Sequence, residues 1–161
     1  GFLLVLGLGF YDDEIISLEN TIININNNYP IFSLDNNNKM CDIPLFIVGS
    51  GPSIDNDIEF IKKNQDKAII CSAGTGISVL YSNGIKPDFH FEGERAPTKL
   101  NGIETGLVEK NLSLYNKDGY FDDIIFAGLN VLHTRVFELF KNKFLFFRAS
   151  DCGSSVVSDK F

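Results

Sequence analysis

Short apolar runs that alternate with helical patterns constrain this chain more than any other feature it has. LFIV at 45–48 runs into Gly49-Ser50-Gly51-Pro52-Ser53, after which Ile54, Ile58, Phe60 and Ile61 recur at roughly helical spacing as far as Asn64. AIIC at 68–71 runs into Ser72-Ala73-Gly74-Thr75, and Ile77, Leu80 and Tyr81 mark a second helix that Asn83-Gly84 stops. Glycine just past a helix supplies the left-handed backbone needed there. A third strand opens at 87–91, a fourth lies at 124–127, a helix spans 131–140, and a fifth strand occupies 144–147. Runs of this length flanked by glycine read as buried strands. Strands alternating with helices predict an α/β protein, a mostly parallel sheet with helices on both faces.

The two ends are less regular. LLVL at 3–6 reads as a short strand closed by Gly7 and Gly9. From 11 to 40 asparagine crowds the chain, which predicts a linker or irregular insertion with strands at 21–25 and 31–33. The chain begins with Gly and stops inside what reads as an element at Phe161, so it is expected to be a fragment of a longer protein. The apolar opening GFLLVLGLGF is far shorter than the ~20 residues of a spanning helix, so no membrane span is expected.

Composition removes several function classes. Fourteen Lys and Arg against 21 Asp and Glu leave a net charge of -7, without the basic face that nucleic acid or an anionic membrane requires. A small positive pocket for a nucleotide remains compatible with that balance. Cys41, Cys71 and Cys152 are odd in number and lack C-x-x-C spacing, so neither a disulfide framework nor a zinc site is legible. Reduced thiols in a cytoplasmic protein are the expectation. His90 and His133 are far apart in sequence, and no metal site is predicted.

Four segments carry candidate chemistry. FIVGSGPSID, 46–55, takes a buried strand through a glycine turn into a helix. Gly49 and Gly51 permit close ligand approach, and the following helix offers free N–H groups to a phosphate. Ser50 and Ser53 add hydroxyls; the alternative is a tight turn with Ser53 as helix cap. Ile54 breaks G-x-G-x-x-G and there is no Walker lysine, which weighs against nicotinamide and P-loop readings. CSAGTGI, 71–77, occupies the same switch in the next unit, where Ser72, Gly74 and Thr75 can line one crevice with the first turn, or Thr75 can simply cap a helix. In GIKPDFHFEGER, 84–95, His90, Glu92 and Glu94 share one strand face. Glu92 and Glu94 can serve as acid, base or metal ligands, and Arg95 can meet a phosphate, or the segment is a solvated charged loop. In AGLNVLHTRVF, 127–137, Asn130 and His133 follow a strand, and His133 is either a general base or a structural residue near a helix start.

Together, FIVGSGPSID, CSAGTGISVLYSNGIKPDF and FEGER resemble the motility accessory factor (Maf) flagellin glycosyltransferases and the wider group with the 6-hydroxymethylpterin diphosphokinase MptE-like domain. The resemblance covers 44–95 well and 124–147 loosely. It implies a Rossmann-like fold akin to the CMP-sugar sialyltransferases. Residues 1–40 would then be a remnant of an amino-terminal domain plus linker, and 41–161 a domain incomplete at its carboxyl end, since the family's later G-x-D-L segment is absent. The implied activity moves a nonulosonic acid, of pseudaminic or legionaminic type, from a CMP-sugar to Ser or Thr of flagellin. Carried over, Gly49, Ser50, Gly51, Pro52 and Ser53 would contact the CMP phosphate and ribose. Ser72, Gly74 and Thr75 would line the base and ribose side, Arg95 and Asn130 would complete the nucleotide site, and Glu92, Glu94 or His133 would act near the reacting sugar. The other branch of the family implies instead a pyrophosphokinase using ATP and Mg²⁺, with Asp88, Glu92 and Glu94 as metal carboxylates. A third possibility is an adaptor that keeps the fold without the chemistry.

Overall fold

The computed structural model describes residues 11–33, 42–93, 99–100, 103–104 and 107–148. The predicted strand at 3–6 and the residues Cys41, Glu94, Arg95 and Cys152 lie outside them. Five strands form one parallel sheet: β1 (Leu45–Val48), β2 (Ile69–Ala73), β3 (Phe89–Glu92), β6 (Ile125–Leu129) and β7 (Asn142–Phe146). They lie side by side in the order of the chain. Between β3 and β6 the two-residue strands β4 (Lys99–Leu100) and β5 (Ile103–Glu104) make a small antiparallel pair.

The helices are α1 (Tyr11–Asn26), α2 (Ile54–Asn64), α3 (Gly76–Ser82), α4 (Leu107–Ser113) and α5 (Thr134–Glu138). β1 and α2 fall where the apolar patterns put them. A 3-10 turn, Gln65–Lys67, leads from α2 into β2. Gly84, at φ 70°, stops α3 after Asn83, which is the left-handed conformation foreseen for it.

Strand register decides which side chains meet. Val48 lies beside Ser72, Ser72 beside His90, and His90 beside Phe126. Residues paired this way share a face. On it, Val48 and Ile70 pack with Ile61, Leu80 and Ile85 from α2, α3 and the turn after α3. Further along, Phe126 stacks on Phe140 at 4.4 Å, Phe140 on Phe121 at 4.4 Å, and Phe137 meets Phe126 edge-on at 5.2 Å. Phe137 reaches the sheet because Gly128 has no side chain; a Cβ there would sit 2.5 Å from its ring. Helices α2, α3 and α5 therefore stack on one face, as right-handed crossovers between strands in sequential order require. The expectation of helices on both faces is met on this one; on the other, Leu45 and Ile47 stay 55% and 75% exposed.

The asparagine-rich stretch differs from its expected form. Residues 11–26, read as linker with a strand at 21–25, are the helix α1. Its buried stripe is polar: Ser17, Asn20, Thr21 and Asn24 recur at helical spacing. Asn20 donates to the carbonyl of Val131, and Asn24 to those of Asn130 and Leu132. Side-chain amides thus satisfy the main chain of the loop after β6, and that loop occupies the start of the predicted helix at 131–140, leaving α5 only five residues. The extended segment expected at 31–33 is partly present. Leu145 donates to Pro30 and Phe32 donates to Leu145, which seats Ile31 as a parallel bridge beside β7.

Candidate functional site

The carboxyl ends of β1, β2 and β3 open into one cavity of about 540 Å³. That is within the ~300–1,000 Å³ of small-molecule sites. Ser50 enters it from the turn after β1, Gly74 and Thr75 from the turn after β2, and Glu92 from the end of β3. Parallel neighbouring strands bring these loops together, as ligand crevices in open α/β sheets are built. α3 supplies Ile77 and Ser78, and α4 with its following turn supplies Val108, Asn111, Leu112 and Tyr115.

Gly76 holds the first two loops in contact. At the start of α3, a Cβ on this residue would lie 2.5 Å from the Val48 carbonyl oxygen and 3.0 Å from that of Gly49. Gly74 has φ 52°, the left-handed turn that lets β2 enter α3. Neither Ser53 nor Thr75 makes a side-chain capping bond, although both stand at helix starts where such a bond is usual. Gly49, Gly51, Pro52 and Ser53 are exposed on the turn that carries Ser50, outside the cavity lining itself.

Glu92 is half-buried, and its Oε1 accepts the Gly93 N–H at 2.9 Å. Two residues earlier on the same face, His90 is fully buried between Phe126 and Phe140, with ring centroids at 5.9 and 6.0 Å. Its Nδ1 lies 2.9 Å from the Ser72 hydroxyl, and its Nε2 has no hydrogen-bond partner among the described residues. Burial lowers the imidazole to about 4, against a smaller upward pull from a hydrogen bond with the Ser72 backbone, so His90 is neutral at pH 7. Ser72 is itself fully buried and does not line the cavity.

Asn130 and His133 stand elsewhere. The Asn130 amide is buried and donates to Thr21 of α1 at 2.9 Å. His133 caps α5, its Nδ1 accepting the Arg135 N–H at 3.3 Å. Burial, with Arg135 nearby, lowers the His133 imidazole from its ordinary value. Asp88, counted above among possible metal carboxylates, sits at the opposite end of β3, where its Oδ2 accepts the Ile70 N–H at 2.8 Å. Among the described residues no three His, Cys, Asp or Glu side chains converge as a metal set. The sequence reading passed over α4 altogether, and with it Asn111 and Tyr115. A seven-residue helix carries too short an apolar stripe to stand out.

A parallel sheet in sequential order, with a glycine turn and a cavity of small-molecule size at its carboxyl edge, defines a Rossmann-like α/β protein. Its sequence matches the family model described as 6-hydroxymethylpterin diphosphokinase MptE-like over residues 19–161, and the chain belongs to that family. Among solved structures it is similar to the Maf glycosyltransferase from Magnetospirillum magneticum AMB-1, with 33% identity and a TM-score of 0.74. The similarity covers 95% of this chain and 23% of that one, so the chain spans about a quarter of the length of that relative. A search of curated proteins returns no match. No helix among the described residues is long and apolar enough to cross a membrane.

Proposed function

We propose that this domain is the donor-nucleotide part of a glycosyltransferase that moves a nonulosonic acid from its CMP-activated form to a Ser or Thr hydroxyl of flagellin. The observation that carries the reading is the convergence of Ser50, Gly74, Thr75 and Glu92 on one cavity of about 540 Å³. Its similarity to a Maf glycosyltransferase supports the reaction class. In this reading the exposed glycine turn, at the start of the eleven-residue α2, receives the phosphate of CMP. Ser50, Ser53 and Thr75 offer it hydroxyls that no helix cap consumes.

The reaction is a substitution at the anomeric carbon. The bond from that carbon to the phosphate oxygen breaks and its electron pair leaves with CMP. The acceptor hydroxyl oxygen forms the new bond and gives its proton to a base. Glu92 is the described carboxylate placed in the cavity, and we assign it that role; Glu94 is retained as its partner in the test below. His133 is withdrawn from the reaction because its Nδ1 is engaged at the start of α5. N–H groups at the glycine turn stabilise the charge that grows on the leaving phosphate.

The family's description favours a second reading, transfer of pyrophosphate from ATP to a hydroxymethylpterin. It needs Mg²⁺ held by carboxylates. Asp88 is not available to that set, since it is engaged at the far end of β3 from Glu92. The test is incubation of the purified protein with CMP-nonulosonic acid and flagellin, following CMP release and the mass of the acceptor. Release of CMP with a matching gain in flagellin mass is expected. Turnover only with ATP, Mg²⁺ and the pterin would overturn the proposal.

A further inference from the structure

Glycine turn and Glu92 account for the phosphate and the reacting sugar; the resemblance puts the base on the side of Ser72, Gly74 and Thr75, but Ser72 is buried outside the cavity lining. The α4 side of the same cavity is built differently from the glycine-turn side. Asn111, Leu112 and Tyr115 lie three, four and seven residues after Val108, so the four form a single stripe along α4 and the turn after it. Leu112 is buried and Val108 half-buried, which anchors the stripe to the core. Tyr115 packs against Tyr81, which does not line the cavity, with ring centroids at 5.1 Å. Tyr81 in turn meets the edge of Tyr120 at 4.8 Å, and the Tyr120 hydroxyl donates to the Ile85 carbonyl at 2.7 Å. An aromatic surface held in place by such a chain loses little freedom when a flat ring settles on it.

Within this apolar stripe Asn111 alone carries an amide. The side chain is exposed to the cavity and makes no hydrogen bond among the described residues. An amide presents one acceptor and two donors, the complement of a pyrimidine edge that itself mixes donor and acceptor. Its Oδ1 can accept from the exocyclic amino group of cytosine while its Nδ2 donates to the adjacent ring nitrogen. We propose that the α4 stripe is the nucleobase subsite of the crevice and that Asn111 is its specificity-determining residue, reading the Watson–Crick edge of cytosine while Leu112 and Tyr115 support the ring. This rests on the assignment of the crevice to a CMP-sugar donor.

The experiment measures the affinity of the protein for CMP and for ribose 5-phosphate, which keeps the phosphate and sugar but lacks the base. Wild type is compared with Asn111→Ala and with Asn111→Leu, which fills the same space without the amide. Both variants should bind CMP ~30-fold more weakly, the net worth of two neutral hydrogen bonds. Their affinity for ribose 5-phosphate should stay at the wild-type value, an outcome that a merely structural role for Asn111 would not give. Wild-type CMP affinity in Asn111→Leu overturns the assignment. So does an equal loss of CMP and ribose 5-phosphate in both variants, since the wall would then be shaping the whole crevice. A wild-type protein that binds no CMP overturns the donor assignment itself, and with it this subsite.

Discussion

Replacing Gly76 with Ala tests the junction on which the crevice depends. By helix propensity alone the change favours the fold, because alanine in a helix is better than glycine by ~1 kcal/mol. The local geometry reverses the sign. The new Cβ would lie 2.5 Å from the Val48 carbonyl oxygen and 3.1 Å from the Gly49 carbonyl carbon, both backbone atoms that no rotamer can move. A carbon and a carbonyl oxygen rest at roughly 3.3 Å or more, so α3 must retreat from β1 by roughly 0.8 Å. Overpacking of this kind costs about 1–3 kcal/mol. Set against the propensity gain, the expected net loss is about 0–2 kcal/mol, or a fall in melting temperature of up to about 8 °C. The same retreat separates Ser50 from Thr75, so CMP affinity should fall with stability. Gly74→Ala is the control: nothing lies within 4 Å of its Cβ, but φ is 52°, so it should lose about 1–2 kcal/mol through backbone strain alone. Urea melts and CMP titrations of both variants give the readout. A Gly76→Ala protein as stable as wild type with unchanged CMP affinity would refute the packing argument.

Three other outcomes follow from the same structure. His90 is held near 4 when folded and returns to its ordinary 6.5 when unfolded. The unfolded chain therefore binds the proton first: the stability is fully present above about 6.5 and is lost as pH falls toward 4, by roughly 3 kcal/mol. Urea midpoints across that range should show the slope in wild type and lack it in His90→Leu. The double variant Glu92→Gln, Glu94→Gln should lower glycosyl transfer while leaving CMP affinity nearly intact, because the lost interaction acts in the transition state; normal flagellin glycosylation in cells carrying it would remove both residues from the mechanism. Gly51→Val should do the reverse. The nearest atom to a Cβ at Gly51 is Ser53 Oγ at 3.8 Å, an ordinary contact, so a loss of CMP affinity with an unchanged melting temperature is expected, and unaltered affinity would exclude the turn as the phosphate site.

What was legible in the sequence was whatever apolar period and glycine encode. β1 and α2 sit at their expected bounds because LFIV is flanked by the glycine turn and because Ile54, Ile58 and Ile61 recur on one helix face. The pairing of the two glycine turns followed from strand order alone. α1 was illegible for a physical reason: its buried face is made of Ser17, Asn20, Thr21 and Asn24, so a search for apolar period sees only a polar stretch. What holds it is hydrogen bonding to carbonyls more than a hundred residues away, and no local pattern announces that. Asn130 and His133 read as site residues because they follow a strand, yet the same α1 contacts and the start of α5 take up their polar atoms. Asn111 was hidden on a short helix between segments with no strong period.

A crystal structure of the protein with CMP bound tests the central claim most directly. The account predicts the phosphate against the 49–53 turn, the ribose between Ser50 and Thr75, and the cytosine on the α4 stripe with its edge facing Asn111. CMP bound outside this crevice, or the same crevice holding CMP with the phosphate at α4 and the base at the glycine turn, would contradict it.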